Sequence, residues 1–256
     1  MTWGRVSGYD ILIMIGRLYF LCICILCGCA YVPRGELLGF APITVDAGKY
    51  QIATWQKITA PQAPIHVYIE GDGHAFNSSG RPTSDPTPHS TFVRDLVAQD
   101  RAANVVYIAR PCQFIMSDTC SRHDWTDGRF SADVIDSVAA AIKSVAGARP
   151  VVLVGYSGGA MVSGLIITRH PEINVTRWIT IAGVLNHSTW TAHFGDTPLT
   201  RSLDMDTLPD VPQVHYVGTR DRIVPMQLTT HIVRGSDIVI VPGATHDDFK
   251  NLEIKY

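Results

Sequence analysis

Three side chains in this sequence are of the types that together turn a weak hydroxyl into an attacking group: Ser157, Asp221 and His246. A serine hydroxyl is a poor nucleophile at neutral pH, so an imidazole within hydrogen-bond reach must take its proton during attack. A carboxylate on the other imidazole nitrogen fixes the tautomer and stabilises the cation that forms. Ser157 lies at the centre of Gly155-Tyr156-Ser157-Gly158-Gly159, a G-x-S-x-G pattern preceded by the apolar run Val151 to Val154. This spacing suits a sharp turn from a buried strand into a helix, where the positions two before and two after the serine must lack bulky side chains. The same glycines also suit a junction that only packs a helix tightly onto a sheet, and the pattern alone leaves both readings open.

The surrounding elements decide whether the three residues can meet. Val151 to Val154, bounded by Pro150, reads as a buried parallel strand, followed by a helix to about Arg169 that Pro171 ends. Before it come an edge strand at Tyr50 to Ile58, a strand at Ile65 to Glu70, a helix from about Thr91 to Ala102 and a strand at Asn104 to Ala109. Ser131 to Ala146 carries Val134, Ile135, Val138, Ile142 and Val145 at helical spacing, with Gly147 as a stop. Strands at Trp178 to Ala182, Val214 to Val217 and Ile238 to Val241 follow, with a short helix from Pro225 to Val233 between the last two. Alternation of this kind predicts an α/β fold, a three-layer α/β/α sandwich around a mostly parallel sheet, in which ligands bind beyond the carboxyl ends of the strands. Ser157, Asp221 and His246 each follow such an end. Phe76 to His89 and Arg110 to Arg129 read as loops, and Asn186 to Leu208 has no sustained period and reads as a small lid.

Val151 to Ala160, Gly218 to Pro225 and Gly243 to His246 resemble the elbow, acid and histidine segments of the α/β-hydrolase superfamily, in that family's chain order of Ser, Asp, His. The likeness covers roughly Tyr50 to the C-terminus, and within the superfamily it looks closest to small bacterial exported or lipoprotein hydrolases. It implies a serine hydrolase with Ser157 as nucleophile, His246 as base and Asp221 as the carboxylate that orients it. The oxyanion donors it implies are the Gly158 N–H and one from Glu70-Gly71-Asp72-Gly73, which resembles the family's HG-type motif with Glu70 in place of the histidine. The Asp72 N–H is the expected second donor, with Gly73 next. Asp247 and Asp248 are poorer acids, because they directly follow His246 and are expected to cap a final helix.

Other residues bear chemistry more weakly. His74 suits a substrate contact or an exposed loop position equally. His123 with Asp124 lacks a partner at metal-ligand spacing, so no metal is expected, and no cofactor is implied. Trp125, Trp190 and Phe194 suit packing of loops better than an acyl pocket. A formal net charge of −2 with interspersed charges gives no footprint for nucleic acid, and 46% hydrophobic residues over 256 positions suffice for one large domain.

The N-terminus points to export. Ile11 to Cys27 is almost uninterrupted apolar sequence, and Leu26-Cys27-Gly28-Cys29-Ala30 resembles a bacterial lipobox with Cys29 as the lipidated residue. Asp10 sits where a signal peptide prefers positive charge, and Met14 offers an alternative start with Arg17 as its basic residue. From Leu18 to Cys29 the segment is too short for a helix that crosses ~30 Å of hydrocarbon. The expected organisation is a signal peptide or lipoprotein leader at 1–29, with an uncleaved anchor or a cleaved soluble form as the alternatives, a tether at 30–47 and a hydrolase domain at 48–256. Cys112 and Cys120, the two cysteines outside the leader, suit a loop disulfide in an oxidising compartment. The reading is a lipid-anchored envelope hydrolase that cleaves an ester, thioester or amide of a small-molecule or acyl substrate. A catalytically silent envelope protein that uses the same fold for binding is the alternative.

Overall fold

Strands that are apolar on both faces need cover on both sides, and this requirement shapes the molecule. The computed structural model describes residues 36–233, 237–250 and 252–256; the expected leader, with Cys29, lies outside the described residues. Leu37–Tyr256 forms one unit. It is built on an eight-stranded sheet: β1 (Ala41–Ala47), β2 (Tyr50–Ile58), β3 (Ile65–Ile69), β4 (Asn104–Ile108), β5 (Val151–Tyr156), β6 (Val175–Ile181), β7 (Gln213–Gly218) and β8 (Ile238–Val241). The spatial order is β1-β2-β4-β3-β5-β6-β7-β8. The pairs β1–β2 and β2–β4 are antiparallel and all others are parallel.

Alternate side chains of each central strand feed two cores. On one face Val67, Val106, Val151 and Leu153 pack with α2 (Ala132–Ala146) and α3 (Gly158–Arg169). On the other, Tyr68, Val105, Tyr107, Val152 and Val154 pack with α1 (Phe92–Gln99) and with Phe249, Leu252 and Ile254 of the C-terminal segment. Each fully buried Val, Leu or Ile contributes roughly 1.5–3 kcal/mol, and Leu153→Ala, at a site with no exposure, costs about 2–5 kcal/mol. The elements of α2 follow the sequence pattern closely. The Ser131 hydroxyl accepts from the Val134 N–H at 3.4 Å, and Gly147 closes the helix at a φ of +58°.

Three expectations need correction. The tether does not extend to residue 47, because Ala41–Ala47 is a strand that pairs along its whole length with β2. Only Val45 and Ala47 of this strand are buried, so its alternation is too weak to read, and Pro42 is tolerated because the strand lies at the sheet edge. Tyr50–Ile58 is therefore an inner strand and not the edge. Among the described residues Asp247 and Asp248 cap no helix: Thr245 and Asp248 form a single β-bridge. The chain then runs on with Phe249 buried, the Lys255 N–H bonded to the Tyr216 hydroxyl at 2.8 Å, and Tyr256 stacked on His66. The expected lid, Asn186 to Leu208, is an insertion that starts with one helix, α4 (His187–Phe194), and continues as turns; α5 (Met226–Ile232) joins β7 to β8. Among the described residues no helix is long and apolar enough to cross a membrane.

Candidate active site

The site is assembled at the carboxyl ends of β3 to β8, beginning with the turn after β5. Ser157 has φ +51° and ψ −122°, a region that costs a non-glycine residue about 1–3 kcal/mol. The surroundings hold it there: the Ser157 N–H donates to the Ile181 carbonyl at 3.0 Å, and its own carbonyl accepts from Ala160 at 3.0 Å and Val184 at 3.1 Å. The flanking glycines are required by close approach. A Cβ at Gly155 would lie 2.5 Å from the Gly159 oxygen, and one at Gly159 would lie 2.5 Å from the Ile69 oxygen.

His246 Nε2 lies 3.0 Å from Ser157 Oγ, and its Nδ1 lies 2.9 Å from Asp221 Oδ2. The Asp221 side chain has no solvent exposure, and its second oxygen accepts the Ile223 and Val224 N–H groups, each at 2.8 Å. An ionised carboxylate only accepts, so Nδ1 carries the proton and Nε2 is left to accept from the serine hydroxyl. The loops after β7 and β8 are tied together to hold this geometry. The Arg220 N–H donates to the Ala244 carbonyl at 2.9 Å, and the Gly243 N–H to Thr219 Oγ1 at 2.8 Å. Gly218 permits the approach, since a Cβ there would meet the Ala244 oxygen at 2.5 Å.

On the other side of Ser157 lies the turn after β3. A Cβ at Gly71 would be 3.0 Å from Ser157 Cβ, so this turn touches the serine. The N–H groups of Asp72 and Gly73 donate to no protein acceptor among the described residues, and the Gly158 N–H, first in α3, has no carbonyl four residues back within its helix. The Gly158 N–H adjoins Ser157 directly, and those of Asp72 and Gly73 follow Gly71, the residue of this turn that approaches the serine. Glu70 takes a different part from a donor: its buried carboxyl accepts the Gly71 N–H at 2.9 Å and the Tyr107 hydroxyl at 2.7 Å. Burial pushes the Glu70 carboxyl above its ordinary pKa, against those two bonds and the nearby Arg94 and Arg110.

Side chains that spacing did not single out hold this turn. Arg110 Nη1 contacts Asp72 Oδ1 at 2.5 Å, and Arg129 Nε lies 3.1 Å from Asp72 Oδ2. Gln113 donates to the Gly71 carbonyl at 2.9 Å and accepts the Arg110 N–H at 3.0 Å. Cys112, next to it, is bonded to Cys120 in the expected disulfide. These residues come from the long polar loop, where sequence periodicity carries no signal; the cysteine pair was the one clue that the loop is built.

The remaining candidates have other partners, although Trp125 lines a small cleft with Asp72, Arg110 and Arg129. His74 stacks on His89 at 4.0 Å, and His123 pairs with Asp127 at 2.8 Å on the surface. Among the described residues no group of three or more His, Cys, Asp or Glu side chains is placed to hold a metal ion. Trp125 donates to the Thr83 carbonyl, and Phe194 is exposed. Trp190 is closer to the chemistry: its indole N–H bonds the Ile223 carbonyl at 2.7 Å, two residues after Asp221. It lines a small apolar cleft with Val184, Val224, Leu228 and Ile232.

No family model matches the chain, and comparison with curated proteins finds no match. Solved structures do match. The chain is similar to an α/β serine hydrolase without a lid from Xanthomonas campestris, at 16% identity over 82% of this chain and 86% of that one, with a TM-score of 0.52. It is also similar to the Est1E protein of Butyrivibrio proteoclasticus, at 11% identity over 82% and 91%, TM-score 0.55. A putative lipase of Acinetobacter baumannii aligns at 9% identity over 96% and 92%, TM-score 0.53. The fold is therefore the α/β-hydrolase fold.

Proposed function

We propose that this protein is a serine hydrolase that cleaves an ester, thioester or amide through an acyl-enzyme on Ser157. The observation that carries the reading is the unbroken line from Ser157 Oγ to His246 to buried Asp221, at 3.0 and 2.9 Å. As Ser157 Oγ bonds to the substrate carbonyl carbon, its proton passes to His246 Nε2, and Asp221 stabilises the imidazolium. The carbonyl oxygen becomes an oxyanion facing the Gly158 and Asp72 N–H groups, with Gly73 adjacent. Collapse breaks the bond to the leaving group, which departs with the proton from His246. Water then gives its proton to the same nitrogen and attacks the acyl carbon, releasing the acid and restoring Ser157.

Ser157 is held at a φ of +51° with its hydroxyl 3.0 Å from an imidazole nitrogen, the ring itself bonded to a buried carboxylate, and this combination supports an enzyme over a silent binding protein. Carboxylesterase-like activity is the preferred form, in keeping with the small apolar cleft at Val184 and Val224 and with neighbours that carry hydrolase names. A fluorophosphonate probe tests the proposal: stoichiometric labelling of Ser157 is expected, and folded protein that remains unlabelled would overturn it. A panel of p-nitrophenyl esters of increasing chain length then sets the acyl preference.

Export and lipid anchoring through Cys29 belong to the same proposal, supported by the lipobox-like segment and by the Cys112–Cys120 disulfide, which suits an oxidising compartment. Mass spectrometry of membrane-fraction protein is expected to find a mature chain starting at a lipidated Cys29. An intact leader in that fraction sinks this part alone.

A further inference from the structure

An oxyanion hole should present positive potential, yet the turn meant to supply one of its donors carries a carboxylate in contact with the other. A Cβ built on Gly158 would fall 2.1 Å from Asp72 Oδ1 and 3.0 Å from Arg110 Nη1. An unpaired carboxylate there would repel the negative charge that develops on the substrate oxygen. Asp72 is not unpaired. Arg110 and Arg129, both almost fully buried, hold its two oxygens, and Arg110 also donates to the Arg129 carbonyl. The two guanidinium groups offset the Asp72 charge, with buried Glu70 also beside Arg110 and Asp124 lining the same cleft.

The same pair fixes geometry. Arg110 stands two residues beyond β4, and Gln113, bonded to its N–H, reaches the Gly71 carbonyl, so the turn is held from its side chain and from its backbone. Arg129 Nε is within ion-pair distance of Asp72 but is not aligned for a hydrogen bond. Its guanidinium lies among the rings of Phe76, Phe130 and Trp190, at 5.8, 5.6 and 5.6 Å. Since Trp190 is bonded to the Ile223 carbonyl in the Asp221 loop, Arg129 links the donor side of Ser157 to the acid side.

We infer that Asp72, gripped by Arg110 and Arg129, is a positioning residue: it sets the N–H groups of Asp72 and Gly73 against Ser157. This rests on the proposed acyl-enzyme chemistry. A carboxylate-to-amide change keeps the shape of the grip and removes its charge pairing, so the donors lose their fixed aim at the oxyanion while substrate binding is spared.

The test compares wild type with Asp72→Asn and Arg129→Lys, using a p-nitrophenyl ester for kcat and KM, the fluorophosphonate labelling rate, and the melting temperature. Asp72→Asn is expected to lower kcat and the labelling rate together by roughly a hundredfold, the loss typical of one oxyanion donor, with KM changed less than about threefold. Arg129→Lys, which keeps the charge and loses the planar fork, is expected to lower kcat about tenfold at an unchanged melting temperature. Wild-type kcat in a folded Asp72→Asn variant overturns the inference. So does a rise in KM at constant kcat, which would assign the arginines to binding an anionic substrate group. If Asp72→Asn does not fold, Arg129→Lys decides alone, and wild-type kcat there is equally fatal. Failure of wild type itself to label would instead sink the Ser157 reading, so the two failures are distinguishable.

Discussion

The two flanks of Ser157 are built on different principles. On the side of β6 to β8, Asp221 and His246 each sit one short turn past a strand, and an apolar cleft lies nearby, where Val184 donates to the Ser157 carbonyl, Val224 donates to Asp221 and Trp190 bonds Ile223. On the side of β3 and β4, the turn at residues 70–73 is held by charge: buried Glu70, Arg110 and Arg129, with half-buried Asp72 between the arginines. The first flank needs only that two loops end where their strands end. The second needs partners about 40 to 60 residues away, because the Arg110 and Arg129 ion pairs with Asp72 span a long loop. Local placement thus serves proton transfer, and long-range ion pairing serves the aim of backbone donors.

The comparison makes its largest prediction on the first flank. Ser157→Ala or His246→Ala is expected to reduce kcat by about a millionfold, and Asp221→Asn by about ten-thousandfold, because the wrong imidazole tautomer then faces the serine. Steady-state ester hydrolysis checks this. Full turnover in Asp221→Asn would mean that the proton-transfer line ends elsewhere, with Asp247 the next acid to try.

How far each flank was readable follows from the same contrast. Glycine spacing around Ser157, and an Asp and a His at strand ends in chain order, are local signals, and the structure brings those three together. The central strands and α2 were equally plain, since Val134, Ile135, Val138 and Ile142 all face the core at helical spacing. The Arg110–Asp72–Arg129 grip was not readable, because no periodicity links a turn after β3 to a loop before α2. Strand β1 was missed because one buried face of two residues, Val45 and Ala47, gives too little alternation. The C-terminal segment was misjudged for a related reason: Phe249, Leu252 and Ile254 serve as separate anchors on the sheet's second core and follow no helical stripe.

The flanks should also differ in their response to acid. His215 on β7 is fully buried between Thr180 Oγ1 at 2.8 Å and Gln213 Oε1 at 2.9 Å, and burial lowers its pKa from 6.5 to about 4. The unfolded chain therefore binds the extra proton across this window, and stability falls as pH drops from 6.5 towards 4, by up to about 3 kcal/mol. At the end of α1, burial raises the Asp100 carboxyl, but bonds from His66 and Tyr68 of β3 and from the Ala102 N–H outweigh it and leave the pKa below its ordinary value. Its contribution is present above the unfolded carboxylate pKa and is lost only at still lower pH. Urea denaturation at pH 7, 5.5 and 4 is expected to show the loss in wild type and a flatter profile in His215→Gln. Equal slopes for the two proteins would remove His215 from the account.

A smaller effect belongs to the charged flank. Cys112 adjoins Gln113, whose amide holds both Arg110 and Gly71. Opening so short a loop, with Cys112 and Cys120 both changed to Ala, should cost roughly 2–3 kcal/mol. Thermal denaturation with and without reductant measures it: reductant is expected to lower the wild-type melting temperature and to leave the double variant unmoved.

The smallest expected effect tests whether the apolar flank selects the acyl group. Trp190 is positioned by its bond to the Ile223 carbonyl and by the Arg129 guanidinium over its ring, so it connects both flanks without contacting His246 or Ser157 in a hydrogen bond. Replacing it with Ala enlarges the cleft shared with Val184, Leu228 and Ile232 and leaves the Asp221–His246 pair in place. One methylene more or less in a hydrophobic pocket changes kcat/KM by about 10–200-fold. Trp190→Ala is accordingly expected to move the optimum of a p-nitrophenyl ester series towards longer chains, with at least about a tenfold gain in the ratio of long-chain to short-chain kcat/KM. A uniform loss across all chain lengths would instead show that Trp190 acts through Arg129 on the donor turn. The boundary between the two flanks would then have to be drawn on the other side of this residue.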